Sequence, residues 1–169
     1  MGITTYKKQM ATEVQTTIQM AFAQSKYGYQ GENELVFDLR QDQKNKIFEL
    51  VWQQAAKVVG HVMLSEASVG QTTGLVLAPL SVLPEYQHQG IGGELLRAAE
   101  QLAADKKFAF ISILGEPAYY QVFGYQTASQ FNITAPMPVP DDYFMVKPLV
   151  DLAQTNGKLV YAPAFKLNA

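Results

Sequence analysis

One segment constrains this chain more than any other, "GLVLAPLSVLPEYQHQGIGGELLRAAEQLAA", running from Gly74 to Ala104. An apolar run ends at Pro84. Three glycines, Gly90, Gly92 and Gly93, then crowd the point where a helical pattern starts, with Ile91, Leu95, Ala99 and Leu102 on one face. Each glycine in a helix gives up roughly 1 kcal/mol against alanine. Bare backbone is therefore required at this turn, by its geometry or by something bound to it. Pro79, inside the apolar run, predicts a bulge or a missing ladder bond, because proline has no N–H to donate.

The flanking sequence supplies more strands and helices. "MATEVQTTIQMAFAQS" repeats Met10, Val14, Ile18 and Ala21 or Phe22 at helical spacing, and a second short helix is expected within Glu32 to Gln41. "KIFELVWQQ" and "KVVGHVMLSEA" are β-branched and aromatic and read as neighbouring strands joined by a polar bend near Gln54 to Lys57. Gly70 and Gly74 flank the next turn. "FAFISIL" is a strand, "EPAYYQVFG" a short helix with Gly124 as its C′ residue, and "GKLVYAP" a late strand. The order β, α, α, three strands, α, β, α, β and β predicts a mixed α/β (α+β) sheet with helices packed on it. No linker or repeat divides residues 1–169, so a single domain is expected.

Composition removes several function classes. A net charge of −2 leaves no basic face for nucleic acid, and zero cysteines exclude disulfides, thiol nucleophiles and cysteine-bound metals. Two histidines, His61 and His88, leave little for an imidazole metal site, so no metal is expected. No apolar run has the length of a membrane span, and the N-terminus has no secretory h-region. Tyr6 stands where a myristoylation pattern prefers Ser or Thr. A soluble cytoplasmic protein with no membrane partner is the expectation.

Three readings of the glycines compete. One is a tight turn without a ligand. A second is a dinucleotide fingerprint, but Leu95 stands at the third glycine position, and no leading β–α–β unit precedes it; a P-loop is excluded because no Gly-Lys-Ser/Thr follows. The third is a pyrophosphate cradle, since a helix N-terminus offers unsatisfied N–H groups and a partial positive charge without any basic side chain.

"QHQGIGGELL" resembles the Gln/Arg-x-x-Gly-x-Gly/Ala pattern of the GNAT superfamily of acyl-CoA N-acyltransferases, with Gln87, Gly90 and Gly92 at the defining positions. "LGEPAYYQVFGYQTA" is similar to that family's Tyr-x-x-x-Gly-Phe/Tyr signature through Tyr120, Gly124 and Tyr125. With "YAPAF" near the C-terminus, the pattern looks most like a bacterial subgroup of predicted acetyltransferases. The resemblance implies a twisted, mostly antiparallel central sheet, splayed at the coenzyme site and flanked by helices. It implies acetyl-CoA as cosubstrate and transfer of acetyl to a primary amine of a small molecule or peptide by direct attack in a ternary complex. The main chain of Gln87, His88, Gln89, Gly90, Ile91, Gly92 and Gly93 would hold the pyrophosphate. Leu80, Ser81, Val82 and Leu83 would pair with pantetheine, and the Val82 N–H would polarise the thioester carbonyl.

Tyr120 stands where the family keeps a general acid that protonates the leaving thiolate, with adjacent Tyr119 as a substitute and packing beneath the sheet as the alternative role. The base is less legible. The strand "GLVLAPLSVL" has no acid, so Glu66 is the nearest candidate, against its reading as a solvated strand-end charge. Glu85 and Glu116 lie beside the two motifs as loop-shaping residues, while His61 alternates with core residues and His88 fills a variable motif position. A non-catalytic acyl-CoA sensor would use the same cradle without needing Tyr120. The late strands and proline-rich tail could present an edge to a second copy of the chain.

Overall fold

The computed structural model describes residues 1–167. Nine strands and four α-helices follow one another as β1 (Gly2–Thr5), α1 (Ala11–Ala23), α2 (Glu32–Gln41), β2 (Ile47–Gln54), β3 (Lys57–Val69), β4 (Thr72–Val82), α3 (Ile91–Asp105), β5 (Phe110–Leu114), α4 (Pro117–Gln121), β6 (Gln126–Thr127), β7 (Ile133–Thr134), β8 (Phe144–Pro148) and β9 (Gly157–Lys158) among the described residues. Seven of the strands form one mixed, mostly antiparallel sheet in the order β1-β2-β3-β4-β5-β8-β6, and β7 pairs with β9 separately. The expected α/β sheet with flanking helices is therefore present.

The chain divides into two compact units, one of Met1–Leu64 with Ala78–Gln101, the other of Ser65–Leu77 with the chain from Leu102 onward. In the first unit β1 runs antiparallel to β2, from Gly2 opposite Gln53 to Thr5 opposite Leu50. The helical spacing of α1 buries Val14 and Ile18, and Met10, just before the helix, is buried with them. The Glu13 carboxylate accepts the Val58 N–H at 2.9 Å and the Thr17 hydroxyl donates to the Val58 carbonyl at 3.3 Å, so α1 satisfies the opening of β3. On the other face α3 packs through Ile91, Leu95 and Ala99. A Cβ on Gly60 would come within 2.9 Å of Leu95 Cδ1 and 3.1 Å of Ile91 Cγ2, so the bare Gly60 backbone sets how closely α3 lies on β3.

In the second unit β4 runs parallel to β5 through Leu75 opposite Ile111 and Val76 opposite Ser112. β5 then pairs antiparallel with β8 over five positions, Phe110 opposite Pro148 to Leu114 opposite Phe144. Two expectations need correction. Gly74 lies inside β4, and the turn is Gly70 and Gln71; Gly74 is bare because a Cβ would come within 2.5 Å of the buried Phe110 ring. Pro79 lies within β4, which runs from Thr72 to Val82, and the Ala78–Pro79 peptide is cis. The strand expected over "GKLVYAP" shrinks to β9 and an isolated bridge between Val160 and Ser68, while β8, hidden in a proline-punctuated stretch, takes the place beside β5.

Candidate active site

The glycine segment sits in the first unit. His88 and Gly90 both have left-handed backbone, with φ of 62° and 89°. Nothing lies within 4 Å of a Cβ built on Gly90, so conformation and not crowding calls for glycine there. The Glu94 N–H donates to the Gly90 carbonyl at 3.0 Å, which makes Gly90 the residue before the first helical turn. The N–H groups of Ile91, Gly92 and Gly93 therefore precede the first rung of the helix, where the macrodipole is positive. No lysine or arginine occurs from Pro84 to Gly93. Within this segment, what an anion at this end of α3 would meet is main-chain N–H.

Two glutamines shape the approach to it. Gln87 Nε2 donates to the Val82 carbonyl at 2.9 Å, and Gln89 Nε2 donates to the Glu85 carbonyl at 3.2 Å. Gln87 thus clasps the loop to the end of β4, while Leu83 N–H donates to the Val59 carbonyl at 2.9 Å. Ser81 and Leu83 are buried, Leu80 and Val82 half-buried, and His88, Gln89 and Gly90 exposed. The β4–β5 ladder stops at Val76 and Ser112, although β4 continues to Val82, so Leu80, Ser81 and Val82 lie beyond it.

Tyr120 belongs to the second unit, on α4, which begins at Pro117. The Tyr125 N–H donates to the Tyr120 carbonyl at 3.3 Å and the Gly124 N–H to the Gln121 carbonyl at 3.0 Å. With Gly124 at a φ of 92°, this is a Schellman ending with Gly124 at C′, as its sequence position predicts. The Tyr120 ring lies on Gly115, where a Cβ would come within 2.5 Å of Tyr120 Cε2, and meets Tyr119 and Tyr125 edge-on at 4.9 and 5.8 Å. Burial pushes the Tyr120 phenol up to about 12, with Tyr119 adding to the rise. Its hydroxyl is therefore a neutral donor at any physiological pH.

The acids beside the motifs behave as loop residues. Glu85 and Glu116 are exposed, and the Glu116 carbonyl receives the N–H groups of Tyr119 and Tyr120, each at 3.2 Å. Glu66 is half-buried in the part of β3 that belongs to the second unit.

Sequence reasoning passed over a buried charged group in the first unit. Arg40 of α2 donates to Glu49 of β2 through Nε at 2.8 Å and a terminal nitrogen at 2.9 Å, and His61 Nε2 lies 2.8 Å from the same carboxylate. The Arg40 guanidinium also covers the Tyr6 ring at 4.2 Å. Burial raises the Glu49 carboxyl, but hydrogen bonds from Arg40 and His61 outweigh that and hold it below the usual carboxylate range; burial holds His61 below the usual imidazole range. The pair is thus a carboxylate and a neutral imidazole with its proton on Nε2. The available signal was a glutamate in the middle of the apolar "IFELVW". Gly60 and Gly115, which let α3 and Tyr120 settle, carry no signal in a single sequence.

Comparison with known proteins bears on this geometry. The family model described as Acetyltransferase (GNAT) family matches residues 15–125, a span that contains both motifs. The uncharacterized N-acetyltransferase YjhQ of Escherichia coli K12 is 29% identical over 123 residues, 69% of this chain and 68% of its own. YhbS of the same strain, likewise called an uncharacterized N-acetyltransferase, is 30% identical over 128 residues, 75% of this chain and 76% of its own. The crystal structure of YhbS with CoA has a TM-score of 0.87 at 26% identity, covering 97% of this chain and 91% of that one. A GNAT family acetyltransferase from Brucella melitensis, in complex with acetyl-CoA, has a TM-score of 0.80 at 28% identity over 96% of each chain.

Proposed function

Because the chain belongs to the GNAT acetyltransferase family, we propose that it moves an acetyl group from acetyl-CoA to a primary amine of a small molecule or peptide, by direct attack within a ternary complex. The observation that carries this reading is the start of α3, a left-handed Gly90 followed by three N–H groups ahead of the first helical rung, in a segment, Pro84 to Gly93, that holds no lysine or arginine. Such an end suits a pyrophosphate. The two structures similar to this one that hold CoA and acetyl-CoA support the same cosubstrate.

In this reading the main chain of Gln87 to Gly93 binds the pyrophosphate. Leu80 to Leu83 lines pantetheine as a neighbouring strand would, and the Val82 N–H donates to the thioester carbonyl. The end of β4 left outside the β5 ladder supports that assignment, because strand backbone outside a ladder is open to pairing with amides. One such donor to a developing oxyanion is worth roughly 3–4 kcal/mol. Tyr120, at the position of the general acid, offers its hydroxyl to the departing sulfur as the hydrogen-bond donor to the charge that gathers there.

Calorimetric titration with acetyl-CoA tests the cradle; a folded protein that binds none of it refutes this reading. A screen of amines, polyamines, aminoglycosides and peptides for thiol release from acetyl-CoA then identifies the acceptor. Tight binding with no release across the screen would favour a sensor over an enzyme.

A further inference from the structure

The Arg40–Glu49–His61 group has an open end. His61 and Ser81 are buried, at 0% and 2% exposure, yet among the described residues neither His61 Nδ1 nor Ser81 Oγ has a hydrogen-bond partner. Buried polar atoms without partners are rare and mark a site that takes water, a ligand or a proton.

These two atoms share a face. β3 and β4 are successive strands of a hairpin and neighbours in the sheet. The bond from Leu83 N–H to the Val59 carbonyl sets position 59 against 83, and so His61 against Ser81. Side chains directly opposite one another project to the same side, with Cβ atoms about 4.5–5.5 Å apart. Gly60 faces Ile91 and Leu95 of α3, so His61 and Ser81 face the other way, where Glu49, itself held by Arg40, meets the ring. Ser81 is also the residue before Val82.

We propose that His61 Nδ1 is the proton acceptor of the acyl-transfer reaction, reached from the amine through the Ser81 hydroxyl, with the ring oriented by Glu49, which is in turn held by Arg40. The proposal rests on the acetyltransferase reading. It supplies the base that β4 lacks. The substrate ammonium gives one proton to Ser81 Oγ while the serine's own proton passes on, by way of one water, to Nδ1. The ammonium N–H bond breaks and its electron pair stays on nitrogen as the nucleophile. An N–H bond forms on the imidazole, and serine and water end unchanged. The imidazolium is then neutralised by Glu49, which Arg40 keeps ionised. The charged and titratable groups around the ring are Glu49 of β2, Arg40 of α2 and, beyond β1, Tyr6 under the guanidinium; Glu13 of α1 is engaged by the Val58 N–H.

The chain has two histidines, so imidazole-labelled protein with a His88→Gln control resolves His61 by NMR. At neutral pH His61 should carry its proton on Nε2, and Ser81→Ala should move the Nδ1 resonance. With an amine found in the screen, Ser81→Ala and His61→Gln should each lower kcat roughly a hundredfold. His61→Gln should also abolish the acid limb of kcat/KM, and Glu49→Gln should shift it. A proton on Nδ1, an Nδ1 resonance indifferent to Ser81→Ala, or a wild-type rate and pH profile in Ser81→Ala would each overturn the assignment. Ser81→Ala decides the kinetics if His61→Gln does not fold. Failure of the folded wild type to bind acetyl-CoA would overturn the acetyltransferase reading itself, and this role with it, whereas the tautomer is read without any coenzyme.

Discussion

Tyr120 shows how one residue's surroundings limit its chemistry. With the phenol pushed up to about 12 and a free thiol near 8.5, complete proton transfer to sulfur would be uphill by on the order of 5 kcal/mol. The hydroxyl is better suited to donate a hydrogen bond as negative charge gathers on the sulfur, worth about 1.5–3 kcal/mol. Tyr120→Phe should therefore lower kcat roughly ten- to a hundredfold and leave the acetyl-CoA dissociation constant within about twofold; steady-state kinetics beside calorimetry checks both. A wild-type kcat would remove Tyr120 from the reaction. At Gly92 the expected loss is in binding. Gly92→Asp puts a carboxylate where the cradle reading places a phosphate, and calorimetry should show acetyl-CoA affinity lower by at least about tenfold. Unchanged affinity would count against the cradle.

At the scale of elements, α3 is held at its angle by what β3 lacks. Gly60→Val would drive branched methyls into Leu95 and Ile91, costing about 1–3 kcal/mol of stability and displacing the first turn of α3. Denaturant melts should show the first effect and weaker acetyl-CoA binding the second. The β2–β3 connection offers the opposite change. Ala55 and Ala56 have φ of 51° and 63°, the left-handed pattern of a two-residue hairpin turn that favours glycine. Relieving roughly 1–2 kcal/mol of left-handed strain outweighs the roughly 0.4–1 kcal/mol of added unfolded-state entropy, so Ala56→Gly should stabilise by roughly 0.5–1 kcal/mol. Ala56 is exposed, and no packing is lost. A lower denaturation midpoint would contradict this account of the turn.

The whole molecule inherits an acid sensitivity from the buried pair. His61 is held neutral in the fold but takes a proton at about pH 6.5 in the unfolded chain, so unfolding binds a proton as pH falls below that value. Stability should be full above about pH 6.5 and decline below it, by at most about 1.4 kcal/mol per pH unit. Glu49, held low by its hydrogen bonds, adds a loss of the same sign as pH falls through the carboxylate range. Denaturation at pH 7.5, 6 and 5 should show the decline, and His61→Leu should flatten its upper part. An equal slope in that variant would assign the sensitivity elsewhere. Among the described residues no helix is long and apolar enough to cross a membrane.

Much of this protein was legible in the residues alone. Helical spacing located α1 and α3, because one-sided burial writes a period of 3.6 into the sequence, while β-branched, aromatic and apolar runs located β2, β3 and β4. The glycines marked the start of α3 and Gly124 the end of α4, because left-handed backbone selects glycine locally. β8 was not legible, since its place beside β5 depends on partners distant in the chain and prolines obscure its pattern. The Arg40–Glu49–His61 group was equally hidden. Its residues are separated in sequence, and only the packing of α2 on the strands brings charge, carboxylate and imidazole within hydrogen-bond reach. Sequence thus determined what local backbone conformation and one-sided burial demand. Tertiary structure decided what touches what, and with it the pKa of Tyr120, the neutrality of His61 and the closeness of α3 to β3, because desolvation and contact arise only when distant segments meet.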